Sequence, residues 1–292
     1  MVTTSVILDD TEFILPEIAA MGIAMWAYRD PNWLRDPLNI CLAPTITAII
    51  GFSANQLPFY YLGKIGFTLI IMMLFLRIIQ SNFAPSLATG LLPLITNAQH
   101  WTIILLIFIL TFILMLITIA FRLNKGLIRN RHIDPEYTIF FLFLIFLWMG
   151  ICWFIGFGTL AIIPPIVVVV YESIQKPEYS GKIALKQAFA LVISSSIGTL
   201  LYVILDSWIQ VTILNMVLML FLSRIINIRM PAIFAFPLLP FILPYEFVIK
   251  LPEATLFTCI FMFVSVTLYK KYDTLKRINN NKHAKHSEEI TM

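Results

Sequence analysis

Charged side chains are scarce in this chain: aspartate, glutamate, lysine and arginine make up only 12% of its 292 residues. Soluble domains carry about twice that share. Hydrophobic residues reach 60%, and the long uncharged runs at 101–121 and 138–158 match a hydrocarbon thickness of about 30 Å. The composition therefore predicts an all-α, polytopic membrane protein with the lipid bilayer as its first partner.

Cysteine and catalytic motifs are scarce too. The three cysteines, Cys41, Cys152 and Cys259, lie far apart in apolar surroundings and show neither metal spacing nor a disulfide framework. The sequence contains no HExxH, P-loop, Asp-rich prenyl-transfer or dinucleotide-binding pattern. We therefore expect no enzyme activity, no cofactor, no metal and no nucleic-acid partner.

What the chain does have is a series of eleven apolar segments. They are predicted at 13–28, 37–57, 59–79, 83–97, 100–122, 138–158, 160–175, 183–205, 208–227, 231–246 and 254–270. Clusters of lysine and arginine follow every second segment, and the loops between those clusters are poorly basic. The positive-inside rule then predicts a multi-pass protein of the cell membrane with the N-terminus outside and the C-terminus in the cytoplasm.

An internal repeat is predicted with a shift of 147 residues. In this register "LFLRIIQ" at 74–80 meets "FLSRIIN" at 221–227, Gly51 meets Gly198, and Leu91-Leu92-Pro93 meets Leu238-Leu239-Pro240. The predicted regions are a first membrane repeat at 1–122, a basic loop and linking helix at 123–158, a second membrane repeat at 159–270 and a polar tail at 271–292. Each repeat has five segments, and one linking helix stands between the repeats. Because five plus one is an even number of crossings, the second repeat begins on the same side of the membrane as the first, and we expect parallel repeats with a pseudo-twofold axis along the membrane normal.

Two short segments are unusual for a membrane interior. "SNFAPSLATGLLPLIT" at 81–96 and "PAIFAFPLLPFILP" at 231–244 contain several prolines, and irregular backbone is tolerated at membrane depth only inside protein or beside a wet cavity. Helix starts offer free N–H donors and a partial positive charge, which favours anions. The predicted substrate pathway is Pro85, Ser86, Thr89, Gly90 and Pro231, with Arg77 and Arg224 as anion-attracting groups at the inner side. The alternative is that both arginines are interface anchors and that the prolines only kink helices.

Three more ionisable residues interrupt apolar segments. Lys64 is predicted to line an outer vestibule of the pathway or to reach the outer headgroups. Glu17 and Glu172 are candidates for a proton relay if transport is proton-coupled, or side chains that reach an interface.

The repeated elements "NFAPSLATGLLPL" and "RMPAIFAFPLLPF" resemble the signature of the HPP family of integral membrane proteins. Their triplet positions read Phe83-Ala84-Pro85 and Met230-Pro231-Ala232, so the histidine of the family pattern is missing from both copies. Some members of that family are described as nitrite carriers of plastid or cyanobacterial membranes. The resemblance implies a small-anion transporter, while the missing histidine leaves the identity of the anion open.

The sequence thus favours a transporter or channel for a small anion, either a nitrite-like inorganic ion or a small organic one. The chain also has a general resemblance to the membrane domains of aromatic-acid exporters, which keeps organic anions among the candidate substrates. The alternative is a non-transporting scaffold or a subunit of a membrane complex. Homo-oligomerisation is left open.

Overall fold

The computed structural model describes residues 1–127, 134–156, 158 and 161–291, with the backbone alone at 277–291. Within these ranges every regular element is a helix. The α-helices are α1 Val2–Leu8, α2 Pro16–Gly22, α3 Pro31–Leu34, α4 Pro37–Asn55, α5 Tyr61–Ile78, α6 Pro85–Ile95, α7 Thr102–Ala120, α8 Pro135–Ile155, α9 Pro164–Gln175, α10 Gly181–Ile204, α11 Trp208–Ile226, α12 Ala232–Ala235 and α13 Tyr245–Thr291. A π-helix at Ile23–Ala27 continues α2, and a 3₁₀ helix at Phe236–Phe241 continues α12.

Seven helices in the described part of the chain are long and apolar enough to cross a membrane. They are α4, α5, α7, α8, α10, α11 and the Tyr245–Lys276 part of α13. The prediction of an all-α, membrane-embedded chain is confirmed at this level. The count of eleven crossings and the four predicted regions stay predictions, and the predicted basic loop at 123–136 lies partly outside the described residues.

Prolines at helix starts explain several element boundaries. Pro16, Pro37, Pro85, Pro135 and Pro164 each stand in the first turn of a helix. A proline suits that position because its missing N–H would have no partner there and its φ angle is already helical. The short segments of the sequence therefore become short helices with sharp starts.

Four short helical stretches occupy the centre of the protein. They are α2 with its π-helix, α6, α9, and α12 with its 3₁₀ continuation. Every residue from 85 to 94 and from 232 to 241 is buried. Elements of ten to twelve residues are too short to span the hydrocarbon region alone, and here the long helices surround them.

The long helices α4 and α10 have equivalent packing partners in the two halves of the chain. In the first half α4 packs against α6 and α7, and in the second half α10 packs against the α12 region and α13. Across the halves, α2 packs against α12, and α9 packs against α6. Each of these two pairs of short helices therefore joins one half of the chain to the other.

Close helix contacts recur with the 147-residue spacing. A Cβ atom added to Gly51 would overlap the carbonyl oxygen of Gly90, and one added to Gly198 would lie 2.6 Å from Cα of Pro237. Gly51 and Gly90 stand 147 residues before Gly198 and Pro237. In both halves a glycine on a long helix thus permits backbone contact with the short helix beside it.

Candidate functional site

Three cavities follow one another along the short central helices. A larger cavity of about 480 Å³ lies where α6 begins, a smaller cavity of about 230 Å³ lies where α6 ends, and a central cavity of about 20 Å³ lies between them. Ser81 and Phe83 line the larger cavity, Pro85 and Ala88 the central one, and Leu94 with its neighbours the smaller one. The two larger cavities therefore open at opposite ends of the same buried helix.

The central cavity is lined by the four short helices. Its walls are Glu17 and Ala20 from α2, Pro85 and Ala88 from α6, Pro165 and Val168 from α9, and Ala232 and Ala235 from α12, with Trp33 at one side. Pro85 and Ala88 precede Ala232 and Ala235 by 147 residues. Glu17 and Ala20 precede Pro165 and Val168 by 148. Apart from Glu17 and Trp33, the lining is alanine, proline and valine, so this is a narrow apolar constriction.

The larger cavity is polar and carries both signs of charge. Its lining includes the carboxylic acids Asp30, Asp36, Asp134 and Glu172 and the bases Arg35, Lys176 and Arg229. The acids are engaged with neighbouring groups. Asp30 and Asp134 accept from the backbone N–H groups of Asn32 and Glu136 at 2.9 and 3.0 Å, as helix N-caps do. The side chains of Lys176 and Arg229, in contrast, are exposed.

Trp33 separates the larger cavity from the central one, since it lines both. Its side chain is buried, and its indole Nε1 donates a 2.7 Å hydrogen bond to Oε1 of Glu172. This bond links α3 in the first half to α9 in the second. An indole held in place by a carboxylate closes the larger cavity on its central side.

We expect Trp33→Phe to destabilise the protein, because Glu172 then loses its indole donor while remaining partly buried. A hydrogen bond contributes about 0.5–1.5 kcal/mol when the carboxyl group is neutral and about 1.5–3 kcal/mol when it is ionised. The apparent unfolding midpoint in detergent, followed by intrinsic fluorescence, should fall accordingly. Trp26→Phe is the matched control, because the Trp26 side chain is half exposed. Equal midpoints for the two variants would contradict a structural role for the Trp33–Glu172 bond.

Lys64 lines the smaller cavity together with Asn55, Tyr61 and Asn97. Its Nζ atom donates to the backbone carbonyl oxygen of Asn55 at 2.6 Å, so the ammonium group is held beside the end of α4. Lys64 therefore lines a cavity, while its place in an outer vestibule stays a prediction. The remaining lining of this cavity is mostly apolar, and Lys64 is its one charged side chain among the described lining residues.

Ser86, Thr89 and Gly90 of α6 are not in the lining of the central cavity, and Thr89 and Gly90 face α4. The Ser86 hydroxyl donates to the carbonyl oxygen of Phe83 at 2.5 Å, and the Thr89 hydroxyl lies 3.3 Å from that of Thr47. Gly90 lies against the backbone of Thr47 and the side chain of Met72. Of the predicted pathway residues on α6, Pro85 alone is in the lining of the central cavity.

The predicted anion-attracting arginines lie apart from the cavities described above. Arg77 and Arg224 are exposed in the last turns of α5 and α11, and neither is in the lining of the larger cavity. Pro231, the predicted pathway residue of the second half, does line that cavity. The basic residues at the cavity are instead Arg35, Lys176 and Arg229.

Sequence reasoning missed these three bases and the Trp33–Glu172 pair as parts of one site. The available signal was a pair of polar stretches, "YRDPNWLRD" at 28–36 and "YESIQKPEY" at 171–179, each of which comes at the end of a short apolar segment. Which of their side chains meet depends on the packing between the halves, which the pattern alone does not specify.

Comparison with protein-family models, with curated proteins and with solved structures finds no match for this chain. The resemblance to the HPP family therefore depends on the quoted residues alone.

Proposed function

We propose that this protein is a transporter for a small anion and that its substrate path runs between the four short helices. The observation that carries the proposal is the pair of cavities at opposite ends of α6. A helix of eleven residues is about 16 Å long at 1.5 Å per residue. The barrier between the two cavities is therefore about half the hydrocarbon thickness, and the central cavity within it is lined mostly by small side chains.

The path coincides with the proposed pseudo-twofold axis between two parallel repeats. Support comes from the central cavity, where residues one repeat apart face each other, and from the matching partners of α4 and α10. Transporters built from repeats place their substrate sites at the repeat interface, near the bilayer midplane, where helices are short or broken. The central position of the short helices fits that pattern.

The larger cavity is proposed to face the cytoplasm. Its end of the protein carries Arg35, Arg77, Lys176, Arg224 and Arg229, in agreement with the positive-inside rule. The smaller cavity, with Lys64, then faces outward, the N-terminus is outside, and the C-terminus is cytoplasmic. We place the protein in the cell membrane.

Cationic side chains at both mouths support the choice of an anion. Lys64 is the one charged side chain among the described residues that line the smaller cavity. At the larger cavity Lys176 and Arg229 are exposed, and Asp30 and Asp134 lie at helix N-termini, whose partial positive charge offsets part of theirs. Charges that line a cleft of low dielectric raise the local concentration of counter-ions. The resemblance to the HPP family points to the same substrate class and includes nitrite among the candidates.

A flux assay tests the proposal. Purified protein in liposomes is challenged with nitrite, nitrate, formate, acetate and benzoate, and protein-free vesicles provide the blank, because some of these acids cross lipid unaided. Protein-dependent flux of at least one anion, saturable with concentration, is expected. Absence of flux for all five would overturn the proposal and favour the scaffold alternative.

Two double variants compare the possible anion-attracting groups at the cytoplasmic side. We expect Lys176→Ala with Arg229→Ala to lower the initial rate more than Arg77→Ala with Arg224→Ala, because the first pair lines the cavity. The result should be read from initial rates at low anion concentration. The opposite order would support the sequence-based assignment of Arg77 and Arg224.

Lys64→Met should raise the KM for anions entering from the smaller-cavity side. Interactions of partly exposed charges contribute about 0.2–1 kcal/mol, which corresponds to a change of about 1.4-fold to fivefold. Lys64→Arg keeps the charge and should retain most of the affinity. Initial rates measured against anion concentration check this, and an unchanged KM for Lys64→Met would remove Lys64 from the path.

A further inference from the structure

Glu17 is buried beside the central cavity, and its carboxyl group has no hydrogen-bond partner among the described residues. Its side chain is 3% exposed, and neither carboxyl oxygen has a partner among the described residues. Buried polar groups are nearly always satisfied, and exceptions often mark a functional site. A carboxyl group with both oxygens unpartnered, at the narrowest part of the proposed path, indicates a ligand that binds reversibly.

Among the described elements that pack against α2 or line the central cavity, none places a positively charged side chain opposite Glu17. The elements that pack against α2 are α6, α7, the π-helix at 23–27 and the α12 region with its 3₁₀ continuation, and none of them contains an ionisable residue. Two further elements line the cavity, α9 and α3. From α9 the ionisable groups are Tyr171 and Glu172, and Glu172 is engaged with Trp33 of α3.

The ligand that fits this carboxyl group is a proton. A sodium, calcium or magnesium ion needs several oxygen ligands, and the surface of the cavity beside Glu17 is apolar. Its volume of about 20 Å³ has room for about one water molecule. An ionised carboxylate without a partner would be strongly disfavoured there, so the closed arrangement suits the neutral acid.

We infer that Glu17 is the proton-binding group of the transport cycle and that one proton moves with each anion. The proton leaves water in one cavity, forms an O–H bond with a carboxyl oxygen of Glu17, and returns to water in the other cavity when that bond breaks. No electron is transferred. This inference rests on the proposed function, since it assigns the coupling ion to the same path.

Electrostatics explains why anion and proton travel together. An ionised Glu17 repels an anion at the constriction, and both negative charges would lie in a medium of low dielectric. Protonation removes one of these charges and supplies an O–H donor for the anion. On the larger-cavity side the exit leads past Trp33, which lines both cavities.

Glu17→Gln tests the inference because glutamine keeps the shape of the side chain and cannot release a proton at neutral pH. The assay uses the panel anion that moves fastest in the wild-type protein. A gradient of one pH unit allows an accumulation of up to about tenfold for one proton per monovalent anion, since a tenfold ratio is 1.4 kcal/mol. We expect Glu17→Gln to lose this accumulation and to retain anion exchange between equal pools at equal pH. Glu178→Gln, an exposed glutamate in the connector after α9, is the matched control and should behave like wild type.

The outcomes separate the two proposals. If wild type carries anions but a pH gradient drives no accumulation, or if Glu17→Gln accumulates as wild type does, the assignment of Glu17 is overturned and the transport function stands. If wild type carries no anion, the transport function and the coupling both fail. If Glu17→Gln loses exchange as well, although it elutes as a single folded species, Glu17 has a role other than proton binding.

Discussion

Anion flux through this protein should stop when a small methanethiosulfonate reagent modifies a cysteine introduced at Ala88. The three native cysteines are buried and are replaced by alanine in the background used for this test. Ala88 is 1% exposed and lines the central cavity, so an added thiomethyl group fills a space of about 20 Å³. A barrier raised by 1.4 kcal/mol already slows passage about tenfold, and we expect a loss of at least that size. The measurement is the initial flux into liposomes before and after modification, and again after reduction with dithiothreitol, which should restore it.

A cysteine at Ser196 is the matched control for this block. Ser196 lies on the exposed side of α10, where its hydroxyl donates to the carbonyl oxygen of Val192 in the same helix. Modification there should leave the flux unchanged. Full flux in the modified Ala88→Cys protein, with modification verified by mass spectrometry, would place the path somewhere other than between the short helices.

The second prediction with a large expected effect concerns the stability of the folded protein. Gly51→Ala should lower the free energy of unfolding by about 3 kcal/mol or more, because overpacking of a rigid contact costs about 1–3 kcal/mol and sometimes more. The new Cβ atom would overlap the carbonyl oxygen of Gly90 and lie 2.9 Å from its carbonyl carbon. A backbone neighbour has no rotamer to change, so α4 and α6 would have to separate. Size-exclusion chromatography and thermal unfolding in detergent report the effect.

Gly150→Ala is the control for this prediction. Gly150 lies in α8 with no atom within 4 Å of an added Cβ, and alanine favours a helix interior by about 1 kcal/mol relative to glycine. Gly198→Ala should resemble Gly51→Ala if the halves are true repeats, since its Cβ would lie 2.6 Å from Cα of Pro237. Normal stability in Gly51→Ala would show that α4 and α6 are not in backbone contact.

Much of the helical layout was predictable because membrane helices need long uncharged runs. The predicted segments at 100–122 and 138–158 contain α7 and most of α8, which begins three residues earlier at Pro135. The short Pro-rich segment at 83–97 likewise contains α6 at Pro85–Ile95. Proline, glycine and small residues at membrane depth are tolerated only inside protein, and α6 is buried there.

The residues that form the site were harder to predict, because they depend on the orientation of each helix about its axis and on its packing partners. Arg77 precedes the start of α6 in the sequence, yet the orientation of α5 leaves it exposed. Arg229 and Lys176 lie in connectors whose course follows from the packing of one half against the other. The sequence placed Glu17 within an apolar segment, but only the crossing of α2 with α12 brings it to the centre.

The hydroxyl groups of α6 also show that the sequence does not specify which side chains face a cavity. Ser86 and Thr89 are polar residues in a broken segment, which is typical of a substrate path as well as of helix packing. Both hydroxyls donate to carbonyl oxygens of the helix region itself, and Thr89 also lies beside Thr47. Such back-bonding satisfies the hydroxyl locally, so polarity alone does not identify the face that lines a cavity.

Labelling of a single cysteine at Ala235 from each side of the membrane tests the central claim most directly. Ala235 lines the central cavity from α12, 147 residues after Ala88, and a membrane-impermeant thiol reagent reaches it only through a cavity. We expect modification from either side of oriented vesicles while the transported anion is present. No modification from either side, or modification from one side alone, would contradict a path that connects the two cavities.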